Sequence, residues 1–212
     1  MATYHHFTEA DWQRLERDWC AWWTGALQRP LVVIETLADG RLNSVWENHF
    51  LTYFGLETPP DAVLDHYQPW LDNLHFIGDA FPKWWVNFGA GVAAAFLGSA
   101  VEYATGTTWF HPMDGLSLAD IHVQYDADNA WWQRTLDITR AAVERWGARM
   151  TIGITDLGGN LDILASLRGT QQLLLDLYDM PDEVDRLTRE ITALWLRYYD
   201  ELDRHISPAG RG

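Results

Sequence analysis

The sequence of 212 residues contains one cysteine, Cys20, and one lysine, Lys83. A single cysteine excludes an internal disulfide, a Cys-x-x-Cys redox pair and a cysteine-rich zinc site. Such cysteine usage is typical of a reducing compartment. Schiff-base chemistry would have to use Lys83, because no other lysine is present. The composition therefore favours a cytoplasmic protein that binds no metal through thiolates.

Positive charge is also scarce, with 15 Lys and Arg against 30 Asp and Glu and a net charge of −15. Nucleic-acid binding requires a basic surface to neutralise phosphates, and an anionic membrane attracts basic segments. The longest apolar run, around residues 92–97, is far shorter than the roughly 20 residues of a membrane-spanning helix. The first ten residues lack the pattern of a secretory signal. We therefore expect neither nucleic acid nor a membrane as a partner.

The residues that are abundant predict a sizeable core, since 48% of the chain is hydrophobic and 14% is aromatic. Strands and long helices alternate in the second half, which is typical of parallel βα units and an α/β fold. The pattern predicts strands at 83–88, 122–125 and 150–155, a hairpin at 101–110, and helices at 128–146, 158–167 and 180–206.

Two polar residues, Asn87 and Asp156, each end a predicted strand, and glycines follow both. Ligands of parallel α/β folds bind at the carboxyl ends of the strands. Burial of Asp156 beside Trp84 or Trp85 would favour its protonated form and suit it to proton transfer. The alternative is that Asp156 serves as a turn or helix-cap residue. The sequence predicts Asp156 as the catalytic residue and Asn87 as a substrate-binding residue.

Three further residues complete the predicted substrate site. Trp84 either lines a flat aromatic pocket or packs in the core. Asp162 lies in the first turn of the helix after Asp156, and Arg168 offers a bidentate fork to the carboxylate of an acidic substrate. Because Asp162 and Arg168 are six residues apart, they face different sides of an ideal helix. They would cooperate only through a ligand or a helix break at Gly169.

Other motifs give weaker signals. Residues 89–94 contain Gly-x-Gly-x-x-Ala, which is compatible with a dinucleotide-binding turn or with a tight turn between a strand and a helix. The acidic residue expected about 20 positions further on in a dinucleotide-binding unit is missing. The eight histidines form no closely spaced metal-binding pair, so no metal site is predicted.

Three segments carry a resemblance to a known family. Residues 158–170 read GGNLDILASLRGT, residues 174–184 read LLDLYDMPDEV, and residues 79–89 read DAFPKWWVNFG. These segments resemble the uroporphyrinogen decarboxylase superfamily, and the likeness covers most of residues 70–206. In that family a glycine-rich strand end leads into a helix and then into a long helix that begins near a proline.

The resemblance implies an α/β fold of the (β/α)8 TIM-barrel type. A complete barrel has about 250 residues, so we expect an incomplete one. Residues 1–212 are expected to form a single uroporphyrinogen decarboxylase-like domain that is truncated at the C-terminus. Residues 1–60 would be an N-terminal extension packed on the barrel. Relatives either decarboxylate porphyrinogen acetate groups or move methyl groups to and from corrinoids and thiols.

The chain departs from both kinds of relative. Asn87-Phe88-Gly89 stands where the decarboxylases carry an aspartate, and Ser166 falls near their tyrosine. The His-x-Cys…Cys zinc site of the methyltransferases is absent. The resemblance implies a small-molecule lyase or transferase with no cofactor in this chain. The alternatives are a corrinoid-dependent methyltransferase, with corrinoid or zinc bound only if a downstream half supplies the site, and a non-catalytic barrel fragment. The expected partners are a small-molecule substrate and either a second copy in a homo-oligomer or a complementing C-terminal half.

Overall fold

The computed structural model describes residues 3–38, 50–104, 106–112 and 115–209. Its helices are α1 (Glu9–Trp23), α2 (Pro60–Asp72), α3 (Ala93–Phe96), α4 (Ala130–Trp146), α5 (Asn160–Arg168), α6 (Thr170–Asp179) and α7 (Pro181–Ile206). Its strands are β1 (Val33–Leu37), β2 (Leu74–Gly78), β3 (Lys83–Trp85), β4 (Ala100–Ala104), β5 (Thr107–His111) and β6 (Thr151–Gly153). In the described residues the fold is therefore mixed α/β.

Local sequence explains where the helices begin. Thr8 and Asp11 form a capping box at the start of α1, in which each side chain bonds the backbone of the other residue. The Asn129 side chain accepts hydrogen bonds from the amides of Trp131 and Trp132 and caps α4. The cap of α4 is thus Asn129 and not Asp128, where the sequence predicts the helix to start. Pro181 opens α7, because a proline at the first helical position loses no hydrogen bond.

The strands form three separate pairs. β1 pairs with β2 in antiparallel register, with Val33 opposite Gly78 and Leu37 opposite Leu74. β4 and β5 form the predicted hairpin. β3 and β6 are parallel, with Lys83 opposite Thr151, and α3 and α4 lie between them in the chain. The predicted parallel unit is therefore present at β3 and β6.

The prediction of a (β/α)8 barrel is wrong for the described residues. A barrel requires eight parallel strands that close on one another, whereas each sheet here has two strands. Four of the six strands pair with antiparallel partners, so they cannot extend a parallel barrel sheet. The sequence pattern identified strands but not their partners, since pairing depends on how each segment packs.

The core lies between the parallel sheet and the helices. Trp84 of β3 is 2% exposed and packs edge-to-face with Tyr67 of α2 and Trp146 of α4. Trp132 of α4 is also buried and contacts Tyr198 of α7 with ring centroids 4.8 Å apart. Aromatic contacts therefore hold β3 against α2 and α4, and hold α4 against α7.

Other elements differ from expectation. β2 and α6 are not predicted as separate elements, and residues 122–125 of the described chain form no strand. Residues 39–49 of the predicted N-terminal extension lie outside the described residues. Among the residues that the structure describes, every helix is too short or too polar to cross a lipid bilayer.

Candidate functional site

The segments that follow β3 and β6 run side by side beyond the ends of the strands. The Thr155 hydroxyl donates a hydrogen bond of 2.7 Å to the carbonyl of Val86, and both residues are buried. This bond continues the parallel pairing past Trp85 and Gly153, where the ladder of backbone hydrogen bonds ends. The segments that carry Asn87 and Asp156 therefore leave the sheet at neighbouring positions.

The two turns that follow are in backbone contact. Gly158 has a φ of +78°, and a Cβ atom there would lie 2.5 Å from the Cα of Gly91. Gly91 itself has a φ of +91°. Only glycine permits this backbone conformation without strain together with so close an approach. We call residues 87–91 and 156–159 together the two-turn edge.

Asn87 and Asp156 play the same local role within the two-turn edge. The Oδ1 of Asn87 accepts a hydrogen bond of 3.0 Å from the Gly89 amide. The Oδ1 of Asp156 accepts one of 3.0 Å from the Gly158 amide. Both side chains thus close an Asx turn, which is the structural alternative considered for Asp156. The catalytic role of Asp156 therefore stays a prediction.

The two turns differ in accessibility. The Leu51 amide donates a hydrogen bond of 2.7 Å to the Asn87 carbonyl, and a Cβ on Gly89 would lie 3.0 Å from Thr108. These contacts leave Asn87 half-buried, whereas Asp156 is exposed. Asp156 is therefore not buried beside Trp84 or Trp85, contrary to the expectation from the sequence. A ligand would reach the edge from the side of Asp156.

The glycine motif at residues 89–94 has a packing role in the structure. Gly89 makes room for Thr108 of β5. Gly91 has a φ that favours glycine, and the backbone of Gly158 approaches it closely because Gly158 has no Cβ atom. The helix that follows, α3, has only four residues, from Ala93 to Phe96. These contacts support the tight-turn interpretation over a dinucleotide-binding turn, which places a pyrophosphate at the start of a full helix.

Trp84 lies in the core rather than on the edge. Successive side chains of a strand point to opposite faces of a sheet, and that of Trp84 points to α2 and α4. Its ring centroid is 5.2 Å from that of Trp146 and 5.8 Å from that of Tyr67. Trp84 therefore holds β3 against the helices.

Asp162 and Arg168 lie at opposite ends of α5. Their separation of six positions corresponds to a rise of about 9 Å along the helix axis. The carboxylate of Asp162 folds back towards Gly159, since a Cβ on Gly159 would lie 2.8 Å from Oδ2 of Asp162. A negative charge at this position stabilises the helix through its dipole. Asp162 is therefore beside the two-turn edge, and Arg168 is distant from it.

Arg168 forms a bidentate ion pair inside the protein. Its Nε lies 2.6 Å from Oδ2 of Asp176, and a second guanidinium nitrogen lies 3.2 Å from Oδ1. The remaining nitrogen donates a hydrogen bond of 2.7 Å to the carbonyl of Leu116. The guanidinium holds the pKa of the buried Asp176 carboxyl below its ordinary value. Gly169, with a φ of +91°, interrupts the helix between α5 and α6 and makes this pairing possible.

Two aromatic residues of α7 adjoin the edge and are absent from the predicted site. The indole N–H of Trp195 donates a hydrogen bond of 2.9 Å to the Gly158 carbonyl. The ring of Tyr199 stacks on that of Trp195, with centroids 5.4 Å apart and an interplanar angle of 15°. The spacing of four residues between two aromatics on one helix is the sequence signal that could have identified this pair.

The assembled site consists of an exposed carboxylate, a second carboxylate at the start of α5, and a stacked aromatic pair. Asp156 and Asp162 are exposed, and Trp195 is half-buried. Within the described ranges, no group of three or more His, Cys, Asp and Glu residues is placed to hold a metal ion. The arrangement can accept hydrogen bonds from a ligand and offer it a flat apolar surface. Comparison with family models, with curated proteins and with solved structures gave no match.

Proposed function

We propose that this protein binds a small organic molecule at the two-turn edge and that Asp156 is the residue acting on it. The observation that carries the proposal is the backbone contact between Gly91 and Gly158. It joins the ends of two parallel strands into one surface, the position at which ligands of parallel α/β units bind. The proposal does not depend on a closed barrel.

The charges at the edge favour one chemical class of ligand. Asp156 and Asp162 are both acidic and exposed, while the nearest predicted cation, Arg168, is paired with Asp176. The net charge of −15 repels anions and attracts cations over a longer range. We therefore infer a ligand that carries N–H or ammonium donors and a planar or apolar body, rather than an acidic substrate.

The reaction proposed for such a ligand is that of a lyase or a transferase. The resemblance of residues 158–170 and 174–184 to the uroporphyrinogen decarboxylase superfamily supports this class, in which both reactions occur. Asp156 would accept hydrogen bonds from the ligand and stabilise positive charge that develops on it. Corrinoid-dependent methyl transfer is the alternative within the same superfamily, and it would need a cofactor site supplied from outside the described residues. The proposed compartment is the cytoplasm, because the cysteine content suits a reducing environment.

A matched pair of variants tests the proposal. Asp126 is an exposed aspartate that closes the same kind of turn, since its Oδ1 accepts a hydrogen bond of 2.9 Å from the Asp128 amide. Asp156→Asn and Asp126→Asn each retain the turn acceptor and remove one negative charge. The probe is a panel of planar heterocycles that carry N–H or ammonium groups, with binding followed by isothermal titration calorimetry.

We expect Asp156→Asn to weaken binding of any hit at least tenfold and Asp126→Asn to leave it within twofold. Both variants should retain the wild-type melting temperature within a few degrees, because each keeps its turn. Equal effects of the two substitutions would show that only net charge matters. That result would remove Asp156 from the site.

A non-catalytic binding or assembly subunit is the second candidate function. It is favoured by the apolar face that α6 exposes to solvent. A wild-type chain that self-assembles but shows no turnover would favour this candidate function over an enzyme.

A further inference from the structure

Helix α6 directs most of its apolar residues towards solvent. Of its ten residues, Leu173 and Asp176 are buried. Its exposed large apolar side chains are Leu174, Leu175, Leu177 and Tyr178. Tyr178 is 90% exposed and Leu174 is 59% exposed. A surface helix normally packs its apolar stripe on the core and presents polar residues to water. The pattern of α6 is the reverse, which marks an interaction surface.

The size of this surface matches one side of a protein–protein interface. Its four apolar side chains expose on the order of 500 Å² together. A standard interface buries about 800 Å² per partner, of which about 60% is apolar. The apolar area required of each partner is therefore also about 500 Å². The face of α6 exposes an apolar area of this order.

The charges on α6 identify a second copy of the chain as a suitable occupant. Asp179, at the C-terminal end, is the one charged residue among the exposed positions of this helix. Asp176 is buried and paired with Arg168. When two α6 helices pack antiparallel, the Asp179 of each copy lies beside the N-terminus of the other, where the helix dipole favours a negative charge. The two Asp179 carboxylates then lie at opposite ends of the helix pair.

We propose that α6 forms an antiparallel, two-fold symmetric homodimer contact, centred between Leu174 and Leu175. The same patch on both copies is used, as in an isologous interface. The net charge of −15 per chain opposes this association at low ionic strength. Added salt should therefore strengthen the dimer, whereas it would weaken the docking of a basic partner. The contact lies on α6, outside the two-turn edge, and does not depend on the proposed function.

Cross-linking tests the geometry. In a Cys20→Ser background, which removes the one native cysteine, we introduce Gln171→Cys in one chain and Tyr178→Cys in another. These positions are equally distant from the proposed two-fold axis, so each faces the other across an antiparallel pair. Under mild oxidation the mixture should give a disulfide-linked dimer, and each chain alone should give little. The antiparallel contact would be overturned if each variant cross-linked with itself, or if no disulfide-linked dimer formed in the mixture.

Sedimentation equilibrium tests the interface itself. The double variant Leu174→Gln/Leu175→Gln should raise the dimer dissociation constant at least tenfold, and circular dichroism should show unchanged helix content. The matched control is Trp23→Ser, which removes a side chain that is 75% exposed on α1 and should leave the dissociation constant unchanged. The proposal would be overturned by a monomeric wild-type chain at the highest soluble concentration, by open-ended aggregation, or by a dimer that the double substitution does not weaken.

Discussion

The backbone of Gly158 touches that of Gly91, and a Cβ atom on Gly158 would lie only 2.5 Å from the Gly91 Cα. The contact joins the turn after β6 to the turn after β3. It therefore determines whether Asp156 and Asn87 belong to one surface or to two.

Gly158→Ala should destabilise the protein through two separate effects. Alanine at a φ of +78° is strained by about 1 kcal/mol, and its methyl group collides with the Gly91 backbone. Gly25 has a φ of +72° and open space around its Cβ position, so Gly25→Ala measures the first effect alone. Urea unfolding should show that Gly158→Ala costs at least about 2 kcal/mol more than Gly25→Ala. Equal costs would mean that the two turns are not in contact.

Trp84→Ala should lower the stability of the folded protein and not only weaken ligand binding. Removing a buried tryptophan leaves a cavity and costs about 3 to 5 kcal/mol. Trp109→Ala is the control, because that side chain is 57% exposed and its removal should cost below about 0.5 kcal/mol. Thermal unfolding measures both. A stable Trp84→Ala protein that has lost ligand binding would restore Trp84 to the substrate site.

Asp176→Asn should cost about 3 kcal/mol at neutral pH, because it leaves the half-buried Arg168 guanidinium without its counter-charge. Both side chains are shielded from solvent, with 15% exposure for Arg168 and 4% for Asp176. The free energy of unfolding in urea measures the loss. A neutral effect would show that the pair contributes no net stability.

The same pair predicts a pH dependence. The Arg168 guanidinium lowers the pKa of Asp176 in the folded state, so this group contributes stability above its unfolded pKa of about 3.9. That contribution is lost as the pH falls through the lower folded-state pKa. The stability difference between wild type and Asp176→Asn should therefore be constant near neutrality and shrink in acid below about pH 4. A difference that stays constant down to the acid transition would contradict the assignment.

Much of the local structure follows from the sequence. The capping residues Thr8 and Asp11 mark the start of α1. Of the adjacent tryptophans on α4, only Trp132 is fully buried, as the helical spacing requires. The parallel relation of β3 and β6 follows from the helices that connect them. These features depend on neighbouring residues, which a sequence displays directly.

Features that depend on distant contacts were not predictable in the same way. The barrel prediction came from the resemblance of three segments to a known family, and those segments do not determine which strands pair. The pairing of Arg168 with Asp176 requires both the break at Gly169 and the burial of α6 residues. Trp195 reaches Gly158 from a helix that begins 23 residues further along the chain (181 − 158 = 23). Only packing reveals that this helix adjoins the two-turn edge.

The most direct test of the central claim is the map of amide and indole shifts in a ¹⁵N-correlated NMR spectrum when a planar N–H ligand is added. The account predicts that the amides of Gly91 and Gly158 and the indole N–H of Trp195 shift together with one dissociation constant. Asp156→Asn should abolish all three shifts, whereas Asp126→Asn should leave them unchanged. Shifts clustered elsewhere, or shifts that survive in Asp156→Asn, would contradict a binding site at the two-turn edge.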